Sequence, residues 1–148
     1  MLTVLRGLAW LGVVVAGWSV NLRWGDDPAL GSGAPSMWER HVVGAALLAA
    51  IAALALSVSG RGGEPPRLPY RIAGALAAGS AFAVALSMYL RVTRNELYEH
   101  MAGIVGGPGF TWLIAGTGIS LVAAAATLAL RPAAPVRRGA SRRRRRRR

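Results

Sequence analysis

The sequence predicts an all-α integral membrane protein with four transmembrane helices and both termini cytoplasmic. Three observations predict it. Four apolar runs are each long enough for a helix to cross a bilayer, which takes about 20 residues for roughly 30 Å of hydrocarbon. The last three runs contain no Asp, Glu, Arg or Lys. The arginines are divided very unevenly among the segments that join the runs. A soluble helix carries a polar stripe with a 3.6-residue period; these runs are apolar all round, which excludes a water-soluble bundle.

The spans fall at about 3–21, 41–59, 72–90 and 110–130 within a transmembrane domain of residues 1–131. The first, "GLAWLGVVVAGWSV" with Met1–Leu5 before it, is broken only by Arg6, which can snorkel to the near surface. Trp18 stands where a leader-peptide cleavage site wants a small residue, so an uncleaved span is expected. The loop that follows ends in Ser36-Met37-Trp38-Glu39, a capping box opening the second span. That span, "HVVGAALLAAIAALALSVS", holds eight Leu, Ile or Val residues. They contribute about −2.4 to −4.8 kcal/mol of insertion energy. The third, "IAGALAAGSAFAVALSMYL", has six when Phe82 is counted with them, diluted by Gly74, Gly79, Ser80 and Ser87. It is the marginal span and is expected to insert as a hairpin with its neighbour.

After it comes Thr93-Arg94-Asn95-Glu96, a second capping box with Val92 and Leu97 as hydrophobic staple. This predicts a short amphipathic helix over 95–105 lying on the outer surface. "GGPGF" then turns the chain into the fourth span, "FTWLIAGTGISLVAAAATLAL". Pro132 and Pro135 stop that helix, and 132–148 is expected to be a disordered basic tail.

Charge sets the orientation. The chain has 18 arginines and no lysine, and ten of the 18 lie at or after Arg131. Arginine-rich short loops stay in the cytoplasm. Arg6, the second loop (Arg61, Arg67, Arg71) and the ten tail arginines, 14 in all, lie on one side. Arg23, Arg40, Arg91 and Arg94 lie on the other. Trp18, Trp24, Trp38, Tyr89, Tyr98, Phe110 and Trp112 cluster at the outer ends, where such rings prefer the headgroup level. Tyr70 marks the inner side and Trp10 lies within the first span. Arginine to the exclusion of lysine, with abundant alanine, fits a GC-rich bacterial genome, so the expected location is the bacterial cytoplasmic (inner) membrane.

The tail includes Arg137 and Arg138 and closes with Arg142, Arg143, Arg144, Arg145, Arg146, Arg147 and Arg148. These nine are the expected contacts to anionic lipid headgroups, each worth about 1 kcal/mol near a charged leaflet. No aromatic is interleaved among them, so nothing provides for base stacking, and nucleic acid is not the expected partner.

Chemistry is sparse. Without cysteine there are no disulfides, thiolate metal sites or thiol catalysis. His41 and His100 lie on the outer side near Asp26, Asp27, Glu39, Glu96 and Glu99, but no His-x3-His or Glu-x-x-His pairing appears. Ser80, Ser87, Thr117, Ser120 and Thr127 have no base or acid beside them in their spans, so they are expected to bond helix backbone. No acid, His or Arg stands at membrane depth, as an ion-coupled transporter would need. No catalytic, metal or cofactor residue is assigned, and no cofactor is expected.

The positive signal within the membrane is small residues. Ala75, Gly79 and Ala83 form one stripe at intervals of four, and Gly116, Ser120 and Ala124 form another. Such stripes let helix backbones approach closely, either to close this bundle or to receive a second copy or a partner membrane protein.

Gly107-Pro108-Gly109-Phe110 with Trp112, together with an aromatic-bearing loop after the first span, resembles the pattern of small four-span membrane proteins common in actinobacteria. One such group lies beside tryptophan-biosynthesis operons and has no established activity. The resemblance implies the four-span layout and transfers no functional residue. Size, span number and charged tail are also similar to phage holins. The expected function is a non-catalytic accessory or assembly component of the membrane. A holin-like or oligomeric pore former is the alternative, and a small-molecule binder or transporter is third.

Overall fold

A computed structural model describes residues 1–22, 24, 36–58, 66–94 and 108–130, with backbone alone for 36–38 and 92–94. Among these residues the chain is all-helical. It comprises α1 (Leu2–Trp18), a 3-10 turn (Ser19–Asn21), α2 (Ser36–Ser57), α3 (Leu68–Arg94) and α4 (Pro108–Ala129). All four helices are long and apolar enough to cross a membrane. At 1.5 Å per residue, the 22 residues of α2 and of α4 reach about 33 Å. The 17 residues of α1 reach only about 26 Å. Its 3-10 turn of three residues adds about 6 Å and completes the span.

The helices run up, down, up, down. α1 packs most extensively on α4, and α2 on α3; the remaining neighbours close a ring, and α2 and α4 also meet across it. One end, here the near end, gathers the starts of α1 and α3 with the ends of α2 and α4. The far end gathers the opposite termini.

The interior inverts the pattern of a water-soluble protein. Its near half is built from Ala9, Ala52, Ala53, Ala78, Ala123 and Ala124 around the single large residue Leu56. The large aliphatic side chains Val4, Leu11, Val14, Leu47, Ile51, Leu54, Leu76 and Val122 point outward. Between 28% and 39% of each helix's apolar window is buried, so most of each helix's apolar surface faces out. Alanine at the contacts lets backbones close on one another and maximises dispersion between them.

Two boundaries differ from the sequence expectation. α3 starts at Leu68, with Pro69 in its first turn, where a missing N–H costs nothing. It therefore takes in Arg71, which the hydropathy pattern assigns to the loop. At its other end α3 continues through Thr93 and Arg94. An N-cap needs non-helical backbone, so Thr93 does not cap a new helix. No glycine or proline stands between Leu90 and Arg94, and the helix propagates that far. The amphipathic helix expected over 95–105 and the tail expected over 132–148 lie outside the described residues. α2 takes in Ser36, so by the same rule Ser36 is a helical residue and not the N-cap its capping box expects.

Candidate functional site

Three places in the bundle hold polar or close-packed side chains. At the near end, each two-helix hairpin is closed by an arginine. Arg6 of α1 donates from Nε to the Leu56 carbonyl on α2 at 3.0 Å. One turn on, Trp10 donates Nε1–H to Ser57 Oγ at 3.0 Å, and Ser57 donates to the Ala53 carbonyl at 2.7 Å. Arg71 of α3 donates from Nη2 to the carbonyls of Thr127, Leu128 and Leu130 at the end of α4. The last carbonyls of a helix lack intrahelical partners and carry the negative end of its dipole. A guanidinium is the natural complement. Arg6, expected to snorkel to the near surface, turns its Nε to a neighbouring helix end. Arg71, read as a loop residue in the sequence, is only 3% exposed. Pro69 two residues earlier was the available signal for its helical placement.

At mid-bundle, α1 and α4 meet through Gly12, Ala16, Gly116 and Ser120. A Cβ on Gly12 would meet Ser120 Oγ and lie 2.6 Å from the Gly116 carbonyl oxygen; one on Gly116 would meet Ala16 N and lie 2.7 Å from the Gly12 oxygen. Ser120 donates across the seam to the Ala9 carbonyl at 3.4 Å. Gly116, Ser120 and Ala124 are all buried here. Their partner stripe on α1 went unnoticed in the sequence, although Gly12-x3-Ala16 carries the same small-residue spacing. On α3, Ala75 and Gly79 are half-buried and Ala83 is exposed within the single chain. The face of α3 that closes this bundle is Gly74, Ala78, Ala81 and Ala85. A Cβ on Gly79 would meet nothing within 4 Å.

At the far end the core is aromatic. Trp24 is 2% exposed and donates Nε1–H to the Ser19 carbonyl at 2.8 Å. Its ring meets Phe110 edge to face with centroids 4.6 Å apart, and Tyr89 approaches Phe110 at 6.4 Å. Gly109 makes room: a Cβ there would lie 2.5 Å from Trp24 Nε1. Trp24 and Phe110 therefore fill the bundle interior, where the sequence reading placed them in an interfacial belt. Burial against Val42, Ala45, Met88 and Leu113 outweighs headgroup contact for them. Trp18 and Trp112 do face outward.

The hydroxyls inside the bundle are engaged with backbone. Thr117 donates to the Leu113 carbonyl at 2.8 Å and Thr127 to that of Ala123 at 2.7 Å. Ser19 and Ser87 bond carbonyls three residues back. Among the described residues no three His, Asp or Glu side chains gather as metal ligands, and His41 is exposed. Asp26, Asp27, Glu96, Glu99 and His100, and the tail arginines from Arg137 to Arg148, lie outside the described residues.

Fold and site together define a class: an up-down four-helix bundle whose helices can each cross a membrane. No family model, curated protein or solved structure matches the chain.

Proposed function

We propose that this chain is a non-catalytic integral protein of the bacterial cytoplasmic membrane that serves as an accessory or assembly component. The observation that carries the membrane part is the row of large aliphatic residues turned outward on the helices, over a near-half interior built mainly of alanine. In water such a surface would be one continuous apolar patch; in lipid it is the solvated state. The non-catalytic part is supported by interior hydroxyls that bond helix carbonyls. Both termini are cytoplasmic, by the 14-to-four arginine division. The tail arginines lie on anionic headgroups. Half-buried Gly79, whose Cβ position is open, and exposed Ala83 are the surface offered to a second copy or a partner helix.

The chain has no cysteine, so single introduced thiols report topology without background. Gly31→Cys should react with a membrane-impermeant thiol reagent applied outside intact cells, and Gly62→Cys should not. The reverse pattern would sink the orientation. Solubilisation by alkaline carbonate, without detergent, would sink the membrane reading itself. Dye release from liposomes holding the purified protein would redirect the reading to a pore former.

A further inference from the structure

We infer that α3 pairs side by side with α3 of a second copy of this chain, the two Ser80 hydroxyls meeting across the seam. The inference rests on the membrane reading and names the occupant of the surface that includes Ala83.

The observation that carries it is a hydroxyl without an acceptor. Ser57, Ser87, Thr117, Ser120 and Thr127 each donate to a helix carbonyl. Ser80 stands at the middle of the apolar segment Leu68–Arg91, is exposed, and makes no hydrogen bond among the described residues. Hydrocarbon offers it no acceptor, so in lipid this group bears the cost of losing water with nothing in return.

The face around Ser80 has the pattern of a helix pair. Ala73, Leu76, Ser80, Ala83, Ser87 and Leu90 are all exposed and follow one another by alternating steps of three and four residues. At about 100° per residue they share one arc of roughly 100°. This is the a and d repeat of a left-handed helix pair. The face is also flat where the hydroxyl stands. α1 turns Val4, Leu8, Leu11 and Val14 outward, and α2 turns Val43, Leu47, Ile51 and Leu54 outward, a large side chain at nearly every turn. Between Leu76 and Leu86, α3 turns none outward. A second backbone can therefore come close at the level of Ser80.

The polar group selects a copy of this chain. All copies enter the membrane in one orientation, so two α3 helices run parallel about a twofold axis along the membrane normal. On such an axis each seam position meets its own counterpart. A hydroxyl is both donor and acceptor, so Ser80 satisfies Ser80, where a charged side chain would repel itself. Ser87 repeats the serine one heptad on; it gives its proton to the Val84 carbonyl and keeps its oxygen as an acceptor. Arg91, exposed at the end of the apolar segment, lies beyond the last seam position, where water and salt screen it from its counterpart.

The test uses the full chain in phosphatidylcholine–phosphatidylglycerol vesicles. Energy transfer between copies carrying donor or acceptor at the N-terminus reads association as the protein-to-lipid ratio falls. Wild type should associate saturably as a dimer. Ser80→Ala removes only the hydroxyl and should weaken pairing about threefold to tenfold. Ala83→Leu adds bulk that faces lipid in the single chain, so it spares the bundle, and should weaken pairing about tenfold or more. Because the chain has no cysteine, single thiols also report the contact. Under oxidation in the vesicles, Ser80→Cys and Ser87→Cys should form disulfide-linked dimers. Val14→Cys and Leu47→Cys, also exposed but on α1 and α2, should not.

Energy transfer no greater than random collision at the same density would overturn the inference. So would pairing that either Ser80→Ala or Ala83→Leu leaves unchanged, or equal cross-linking at positions 80 and 47. Pairing through this face only with a different membrane protein would refute the second copy as its occupant. Carbonate extraction is read first. A chain stripped by carbonate sinks the membrane reading, and a chain that resists carbonate yet stays monomeric sinks this inference alone.

Discussion

Adding one methyl group to Gly116 should loosen the whole bundle, while the same change at Gly79 should not. A Cβ on Gly116 would sit 2.7 Å from the Gly12 carbonyl oxygen and 2.9 Å from Ala16 Cα, against 3.4 Å for ordinary contact. The obstructing atoms are backbone, so no side chain can swing aside. Ala16 N stands closer still, so α1 and α4 must separate by at least about 0.7 Å at that point. A gap of this size forfeits a quarter to a half of the dispersion well for each facing atom pair. Overpacking of a close-packed interior costs about 1–3 kcal/mol. Alanine's better helix propensity returns up to about 1 kcal/mol. The expected net loss for Gly116→Ala is about 1–2 kcal/mol, a factor of roughly 5–30 in the folded-to-unfolded ratio. For Gly79→Ala only the propensity gain applies, and the shift should lie between zero and about 1 kcal/mol in the stabilising direction. Titration of dodecyl sulfate into mixed micelles, followed by tryptophan fluorescence and circular dichroism, measures both. Equal unfolding midpoints for the two variants would refute the close α1–α4 crossing as the source of stability.

Other outcomes follow from the same geometry. Trp24→Ala should cost about 3 kcal/mol, since it removes a buried ring and one of the two donors to the Ser19 carbonyl, leaving the Leu22 N–H; the same denaturant titration reads it. Ser120→Ala should cost no more than about 0.6 kcal/mol, because its cross-helix bond at 3.4 Å is at the long limit and such bonds are modest in bilayers. A chain ending at Pro135 keeps all four spans and Arg131, so it should still resist carbonate extraction while losing most of its low-salt affinity for anionic vesicles.

Helix number, type and approximate limits were legible without any three-dimensional information. A backbone in hydrocarbon must satisfy its own hydrogen bonds, so an apolar run of the right length has to be a helix. Run length is a one-dimensional property, which is why four spans could be placed within a few residues. The method fails at charges. It began the third span only after Arg71, because a hydropathy count treats a guanidinium as a boundary. The structure carries the helix past it, because the end of α4 supplies acceptors from a segment more than 50 residues away.

Which way each helix faces was not legible, and only the tertiary structure decides it. In water the polar stripe tells a helix how to rotate; in lipid the surroundings are as apolar as the core, and that signal vanishes. Ala75, Gly79 and Ala83 are as small as Gly74, Ala78, Ala81 and Ala85, and the two faces differ by one residue, about 100° of rotation. Shape complementarity with α2 and α4 selects the second for this bundle. Trp24 shows the same division. Its sequence context is a loop beside a span, which points to the interface. It lies inside because Gly109, 85 residues later, has no side chain to keep it out. Composition and run length, set by the solvent, were therefore present in the chain itself. Rotation, crossing and burial depend on the shape of partners distant in sequence, and exist only once the helices have met.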